Sequence, residues 1–566
     1  MSGSTINDKA TLSKRVALFF LSPLFPWVAA LVATLLVAGN IDVADELKWS
    51  GNGPGLTFDE CFNIEVGVYL VDSFLDAGLA AFHPETQLEI YENPGYNPDH
   101  PPLGRIALGV ANRLVREFSS EDSKGAYFVS AARLASAFEF GLLVLLIGLY
   151  SRRWFGSHVS CYSTLAVMCM PRLFGHAHLA SLEMCTCLTY TAFVLVLANS
   201  WKTTAKAQPT ATRAFVPGVL LGLVLLTKIH AILLIPVVVI WGLWNWRLRS
   251  LIPVIALFLF AFATFFIGWP WLWIDPVEHL KEYFLRATER ASLNCFYLGT
   301  KYADTDVPWH YPFVLFAITM PLGFLSCGLI AMFKRTDDEN SRRSLFDPRT
   351  QLIFGAWLIP LVVFALPGVT VYDGARLFLM SFPLFAIFAG LGMKRIFDSL
   401  QLRNGNRIAT GFLILCFAGP IFNLVTLHPC HLGYYSEIVG GLWKAEDLGF
   451  EPTYWGDSVT PKFLEESLEE IPQGAVIEVA PVLHPLQLHF MQQGSWLKNR
   501  PDIVLSAYDH HRDDLSRYVL VIRRKADPWD SLTPPPPGTK TLNSVERQGV
   551  PLAEMLLLPD SPLRSR

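Results

Sequence analysis

The chain alternates between long apolar runs and short polar connections that hold most of its charges. Eleven runs approach the roughly 20 residues an α-helix needs to cross a bilayer. They lie near 16–39, 127–150, 157–179, 181–199, 214–228, 229–245, 251–270, 312–333, 351–368, 376–393 and 407–427. This pattern predicts a mainly α, polytopic membrane protein of about eleven transmembrane helices, since a helix satisfies its own backbone in lipid. Lys9, Lys14 and Arg15 precede the first run, which lacks a small-residue cleavage site and so reads as a retained first helix. Orientation follows from short cationic connections, which stay on the cytoplasmic side. Arg152 and Arg153, Lys202 and Arg213, Arg247 and Arg249, Lys334, Arg335, Arg342 and Arg343, and Lys394, Arg395 and Arg407 share one side under this count. The run 214–245 has basic flanks at both ends, so it should cross twice, with Lys228 and His230 at its far turn. The N-terminus is then cytoplasmic and the C-terminus outside.

Three segments share the outer face: 40–126, 271–311 and 428–566. The last changes character. "FLEESLEE" reads as a polar helix, and "GAVIEVA" and "YVLVIRRK" as short strands, which predicts a small soluble α/β domain from about Tyr434. The chain therefore divides into a membrane unit, 1–433, and an outer domain, 434–566, in which "TPPPPG" forms a stiff polyproline segment. A hydrophobic content of 52% with 13% aromatic residues agrees with a membrane protein. Nine cysteines show no CxxC pair and fall mostly in apolar runs, so no disulfide framework is expected. A net charge of -4 from 45 basic and 49 acidic residues gives no electrostatic case for a nucleic-acid partner.

Candidate chemistry lies in the outer loops. In "TFDECFNIEVGVYLVDSFLDAG" the apolar positions Phe62, Val66, Tyr69, Leu70 and Phe74 recur at helical spacing, as in an interfacial helix. Asp59 and Glu60 stand at its start, about 100° apart around the axis, so only one can aim at a common target. Thr57 or Asp59 could equally cap the helix. "LGRIALGVANRLVREF" predicts a second interfacial helix, with Pro101 or Pro102 at its first position and Asp99 and His100 just ahead of its anion-favouring N-terminus. "PRLFGHAHLASLEM" adds Arg172, His176, His178 and Glu183; the two-residue spacing sends the histidines to different sides and favours hydrogen bonding over metal ligation. "GWPWLWIDP" and "PWHYP" read as an aromatic belt. "TVYDGARLF" places Tyr372, Asp373 and Arg376 where a span re-enters the membrane, and that arginine could simply snorkel. Carboxylates at 59, 60, 99, 183 and 373 and cations at 105, 172, 228 and 376 thus map to one face. Ionisable groups at membrane depth are expensive, so this convergence argues for a site. A carboxylate can take a hydroxyl proton while cations stabilise charge on a departing phosphate.

"FDE" at 58–60 followed by "DHPPLGR" at 99–105 resembles the first outer loop of the dolichyl-phosphate-mannose protein O-mannosyltransferases and their bacterial relatives. These belong to the GT-C membrane glycosyltransferases, which also include the lipid A aminoarabinose transferases. "PRLFGHAHLASLEM", "GLVLLTK", "PWHYP", "YDGARLF", "GYYSEIVGG" and "YWGD" look like successive landmarks of a bacterial branch, so the resemblance spans about 50–460. It implies an inverting transferase that moves one sugar, mannose-like or related, from a polyprenyl monophosphate to a hydroxyl of a protein, lipid or glycan. Asp59 takes the acidic catalytic position with Glu60 beside it, while His100, Arg105, Lys228 and Arg376 would hold the donor phosphate. Asp99, Arg172, His176, Glu183, Tyr372 and Asp373 would line the substrate pocket. The resemblance requires no cofactor, leaves a divalent metal open, and favours a bacterial plasma membrane with the C-terminal domain in the periplasm. "YWGD" and "DHHRDD" (509–514) are polar enough to touch carbohydrate, although the second reads more simply as a solvated turn. Two other readings are a multi-pass transporter, which usually shows repeated halves absent here, and a non-catalytic relative that binds lipid or protein.

Overall fold

The structure is a computed structural model that describes residues 18–41, 53–118, 128–201, 208–288, 292–333, 347–482, 484–493, 497, 500–509, 517–527 and 532–559. Most of "DHHRDD" and the basic residues Lys9, Lys14, Arg15, Lys202, Lys334, Arg335, Arg342 and Arg343 lie outside them.

Every expected span contains a helix, but the lengths vary. Val129–Phe155, Leu182–Ser200 and Asn406–Thr426 are long and apolar enough to cross a membrane, as is the continuous helical run Ile229–Ile267. That run divides at Arg247–Ser250, where Arg247 adopts φ 53°, into Leu234–Trp246 and Leu251–Ile267. Tyr311–Thr319 and Leu322–Met332 qualify only together and meet at 117°. Phe25–Ala38, Ala211–Leu225 and Pro348–Val363 are apolar but shorter. The span expected over 157–179 breaks into Ser157–Met168 and Pro171–His176, because Met170 precedes a proline and takes an extended conformation, φ -85° and ψ 105°. The span expected from 376 begins at Ser381 and runs to Asn404, while Arg376–Phe378 forms a separate 3₁₀ turn.

Two helices of loop 40–126 pack against the helix Val129–Phe155. The first, α1 (Glu60–Ala77), crosses the second, α2 (Pro102–Arg116), with Pro102 in the first turn of α2. The crossing is backbone to backbone. A Cβ on Gly67 would lie 2.2 Å from the Arg105 carbonyl oxygen, and one on Gly109 would lie 2.2 Å from that of Gly67. This contact sets the distance between the ends of α1 and α2, and so places Asp59, Asn63 and Arg105 relative to one another.

Loop 271–311 holds the helix Pro276–Thr288 and a hairpin of β1 (Asn294–Tyr297) and β2 (Thr300–Ala303). Its tryptophans depart from the expected belt: Trp269 and Trp271 are buried. The Trp269 indole donates to the Tyr96 hydroxyl at 2.7 Å, and Trp271 stacks on His279 at 4.1 Å. Trp273 is partly buried, and Trp309 of "PWHYP" is 67% exposed.

After the last long helix the chain runs through residues 431–460, which pack against the helix Pro171–His176, before the sheet begins. The sheet comprises β3 (Val476–Ala480), β4 (Val504–Ala507), β5 (Tyr518–Ile522), β6 (Lys540–Arg547) and β7 (Val550–Leu557) in the order β4-β3-β5-β7-β6. β3 pairs in parallel with β4 and β5, and β7 antiparallel with β5 and β6. "FLEESLEE" falls on the helix Pro461–Leu468. Tyr454, Trp455, Phe463, Ile477 and Leu520 share one buried cluster with the membrane helices, so the sheet is continuous with the helical core.

Gly67→Ala and Gly109→Ala should each destabilise the fold by about 1–3 kcal/mol through overpacking. Chemical unfolding in detergent is the check, and wild-type stability in both variants would contradict the close crossing.

Candidate active site

The two acids at the start of α1 have opposite fates. Glu60 turns inward and is fully buried. Its carboxylate accepts from Arg133 Nε at 2.7 Å and Nη2 at 2.8 Å, from the Thr57 N–H at 2.8 Å and hydroxyl at 3.0 Å, and from the Ala180 N–H at 2.6 Å. With both oxygens held, Glu60 does not line the pocket; the reading of Glu60 as a catalytic partner is corrected to that of a scaffold group joining three segments. Asp59 occupies the cap position of α1 but makes no cap hydrogen bond. It turns outward, and its carboxylate pairs with Arg376.

Arg376 is the hub. Its Nε donates to Glu183 Oε1 at 2.9 Å, Nη1 to Asp373 Oδ2 at 2.8 Å, and Nη2 to Asp59. Glu183 Oε1 also accepts from Lys228 Nζ at 2.5 Å. The guanidinium lies 4.2 Å from the centre of the Trp455 ring and 5.6 Å from that of Tyr372. Such placement adds cation–π attraction and excludes water from one face. Of the three acids on Arg376, Glu183 and Asp373 are buried and Asp59 is the accessible one, at 36% side-chain exposure.

Two cavities meet at this hub. One, of about 310 Å³, is polar and aromatic: Phe58, Asp59, Phe62, Asn63, Arg105, Asp373, Trp455, His484, Gln487 and Arg524 are among its walls. The second, of about 610 Å³, runs between Lys228 and the apolar residues Ile229, Ile232, Leu233, Val363 and Phe364. Asp99, His100, Tyr372 and Arg376 line both. His100 precedes α2, and burial together with the charges of Arg105, Lys228 and Arg376 holds its imidazole well below the usual value, hence neutral. Arg105 is buried and donates to the Asn97 carbonyl at 2.5 Å and to Asn63 Oδ1 at 3.4 Å. Asp99 accepts from Asn97 Nδ2 at 2.7 Å and from Arg286 at 3.3 Å.

Three residues expected in the pocket lie elsewhere. Arg172 and His176 do not line it, because residues 434–455 pack over the helix Pro171–His176. Arg172 Nε donates to the Tyr434 carbonyl at 3.0 Å with its guanidinium against the Tyr435 and Tyr454 rings. His176 meets the Tyr454 hydroxyl at 3.4 Å and the edge of Trp455. Glu183 reaches the site only through Arg376 and Lys228. His178 bonds the Phe174 carbonyl at 2.8 Å, away from His176. Among the described residues no group of three or more His, Cys, Asp or Glu side chains is placed to hold a metal ion. All nine cysteines are buried and free.

Sequence reasoning missed the contribution of the C-terminal part. "YWGD" is not a surface motif: Tyr454, Trp455 and Asp457 are all buried. Burial pushes the Asp457 carboxyl up to about 7 against the pull of Arg172, and pushes Glu451 up to about 7 against that of Arg524. His484, Gln487 and Arg524 reach the cavity from beyond residue 480. Nothing in the sequence around Arg523 and Arg524 singled out Arg524 as a site residue.

No family model and no curated protein matches the chain. In structure it is similar to ArnT from Cupriavidus metallidurans bound to undecaprenyl phosphate, with TM-score 0.49 and 13% identity over 94% of this chain and 98% of that one. It is also similar to the oligosaccharyltransferase of Archaeoglobus fulgidus tethered with an acceptor peptide, with TM-score 0.44 and 13% identity over 86% of this chain and 64% of that one. The oligosaccharyltransferase AglB of the same organism, in complex with an inhibitory peptide and a dolichol-phosphate, gives TM-score 0.41 and 12% identity over 88% and 70%.

Glu60→Gln should cost about 3 kcal/mol of stability, because it leaves Arg133 as an uncompensated buried charge. Asp59→Asn should cost clearly less, and equal losses in a denaturation series would contradict the division of roles. A second expectation concerns pH. A carboxyl raised to about 7 binds its proton in the fold where the unfolded chain, at about 4, has lost it. Its contribution therefore declines as pH rises from about 4 to 7 and is constant above. Asp457→Asn should gain in melting temperature relative to wild type between pH 5 and pH 8, and a constant difference would contradict the buried carboxyl.

Proposed function

We propose that the chain is an inverting membrane glycosyltransferase of the GT-C type, moving one sugar from a polyprenyl monophosphate to an acceptor hydroxyl on the outer face of the membrane. The observation that carries this reading is the Asp59–Arg376 pair at the wall shared by a polar cavity and a second cavity that has charged residues at one part of its lining and apolar residues at another. A lipid-linked sugar has that division: an apolar chain, an anion at the junction and a polar head.

In this reading the isoprenoid lies along Ile229, Ile232, Leu233, Val363 and Phe364, and the phosphate sits among Arg376, Lys228 and His100. The sugar projects into the smaller cavity, near Asp59 and Arg105. Neutral His100 supplies a hydrogen bond rather than charge. Each side of the Arg376 guanidinium is occupied by an acid, so an arriving phosphate must displace one. Asp59 is the exposed partner and is the one released. Its freed carboxylate takes the proton of the acceptor hydroxyl as that oxygen bonds the anomeric carbon. The bond from the anomeric carbon to the phosphate oxygen breaks, the configuration inverts, and Arg376 and Lys228 stabilise the departing polyprenyl phosphate. Donor binding thereby exposes the base, which limits its activity in the empty site.

The FDE and DHPPLGR motifs support the same assignment, with a sugar that is mannose-like or related. The reading places residues 1–433 as the transmembrane catalytic unit and 434–566 as a periplasmic domain in a bacterial plasma membrane, with the N-terminus cytoplasmic. The acceptor is a hydroxyl of a protein, lipid or glycan.

Purified protein offered polyprenyl-phosphate mannose, glucose and aminoarabinose in turn should release free polyprenyl phosphate from one of them. Asp59→Asn should slow release by about 10²–10⁴-fold, the range for loss of a general base, while binding the carrier phosphate more tightly because its competitor on Arg376 is gone. Full activity in Asp59→Asn, or no release from any donor when a cell extract supplies acceptors, would overturn the assignment.

A further inference from the structure

We propose that Arg524, supplied by the C-terminal sheet, is a positioning residue that aims Arg376 at the donor phosphate through Asp373 and Trp455; the inference rests on the reading of Arg376 as the phosphate cation. Arg524 follows β5 and is only 2% exposed. Its Nε donates to Asp527 Oδ2 at 2.7 Å, and Nη1 donates to Asp373 Oδ1 at 2.9 Å and to the Tyr454 carbonyl.

Two routes lead from it to the hub. Asp373 gives one oxygen to Arg524 and the other to Arg376 at 2.8 Å, so its carboxylate is fixed from both sides. With one oxygen engaged by Arg524, Asp373 presents a single oxygen to Arg376 instead of a fork-to-fork pair. The second route is the backbone: the Tyr454 carbonyl held by Arg524 precedes Trp455, whose ring lies 4.2 Å beneath the Arg376 guanidinium. One side chain thus holds both the acid beside Arg376 and the ring under it.

The backbone at Asp373 points the same way. Asp373 adopts φ 54° and Gly374 φ 64°, and a Cβ on Gly374 would lie 3.2 Å from Arg172 Nη1 and from the Tyr454 ring. A non-glycine residue in the left-handed region is uncommon and persists where surrounding contacts over-determine it. Here the contacts are Arg524 from the sheet and Arg376 from the membrane unit. The C-terminal domain accordingly takes part in donor recognition, although Arg524 need not touch the donor phosphate.

The test is binding of polyprenyl phosphate, without sugar or acceptor, to the full-length protein in nanodiscs. Arg376→Ala should abolish binding. Arg524→Gln and Asp373→Asn should each weaken it by about tenfold, as for residues in one coupled network. The double variant Arg524→Gln/Asp373→Asn should be no weaker than the weaker single one, and Arg524→Lys, with one ammonium in place of a fork, should fall between wild type and Arg524→Gln. A purely structural role would lower the melting temperature of each variant while their effects on binding multiplied. If Arg524→Gln does not fold, Arg524→Lys and Asp373→Asn carry the comparison alone. Loss of binding in Arg376→Ala with wild-type affinity in Arg524→Lys and Asp373→Asn overturns this inference only. Wild-type affinity in Arg376→Ala overturns the phosphate reading and this inference with it.

Discussion

One buried guanidinium organises this molecule. Arg376 holds Asp59 from the first outer loop, Glu183 from the start of a membrane helix and Asp373 from its own turn, and Glu183 passes the network on to Lys228. Removing so many charges from water is costly unless each is paired and hydrogen-bonded. The pairing here is complete only when segments distant in the chain come together: Asp59 and Arg376 are separated by 317 positions, Glu183 and Arg376 by 193. The charge network thus links the conformations of these distant segments. A network of alternating signs with one accessible member is also suited to exchanging that member for an incoming anion.

Elsewhere the structure spends polar residues on holding that arrangement. Glu60 and Arg133 tie the start of α1 to the first long span and to the Ala180 turn, fixing the helix end from which Asp59 projects. The glycine crossing of α1 and α2 fixes where Arg105 and His100 stand relative to Asp59. A polar group on a rigid element, supported by buried partners, is held more closely than one on a free loop.

The apolar helices were legible because hydropathy is a local signal that depends little on tertiary contacts. The choice between Asp59 and Glu60 was partly legible: helical geometry says they diverge, but only the position of Arg133 decides which one turns inward. Arg524 was not legible as part of the site, since it meets Asp373 across 151 residues and lies in a segment outside the motifs. The burial of "YWGD" was not legible either: Tyr454, Trp455 and Asp457 pack inward, Trp455 against Arg376, and burial of that kind leaves no periodic trace in the sequence. Trp269 and Trp271 misled in the same way, because an aromatic residue near the membrane boundary can face lipid or pack inward, and Tyr96, His279 and Tyr283 draw these two inward.

The account turns on what happens at Arg376 when a lipid phosphate arrives, and a cryo-electron microscopy structure of the wild-type protein with bound polyprenyl phosphate tests it most directly. The predicted result is a phosphate between Arg376, Lys228 and His100, an isoprenoid along Ile229 and Phe364, and an Asp59 carboxylate turned away from Arg376 into the polar cavity. A phosphate bound elsewhere, or an Asp59–Arg376 pair that survives beside it, would contradict the account.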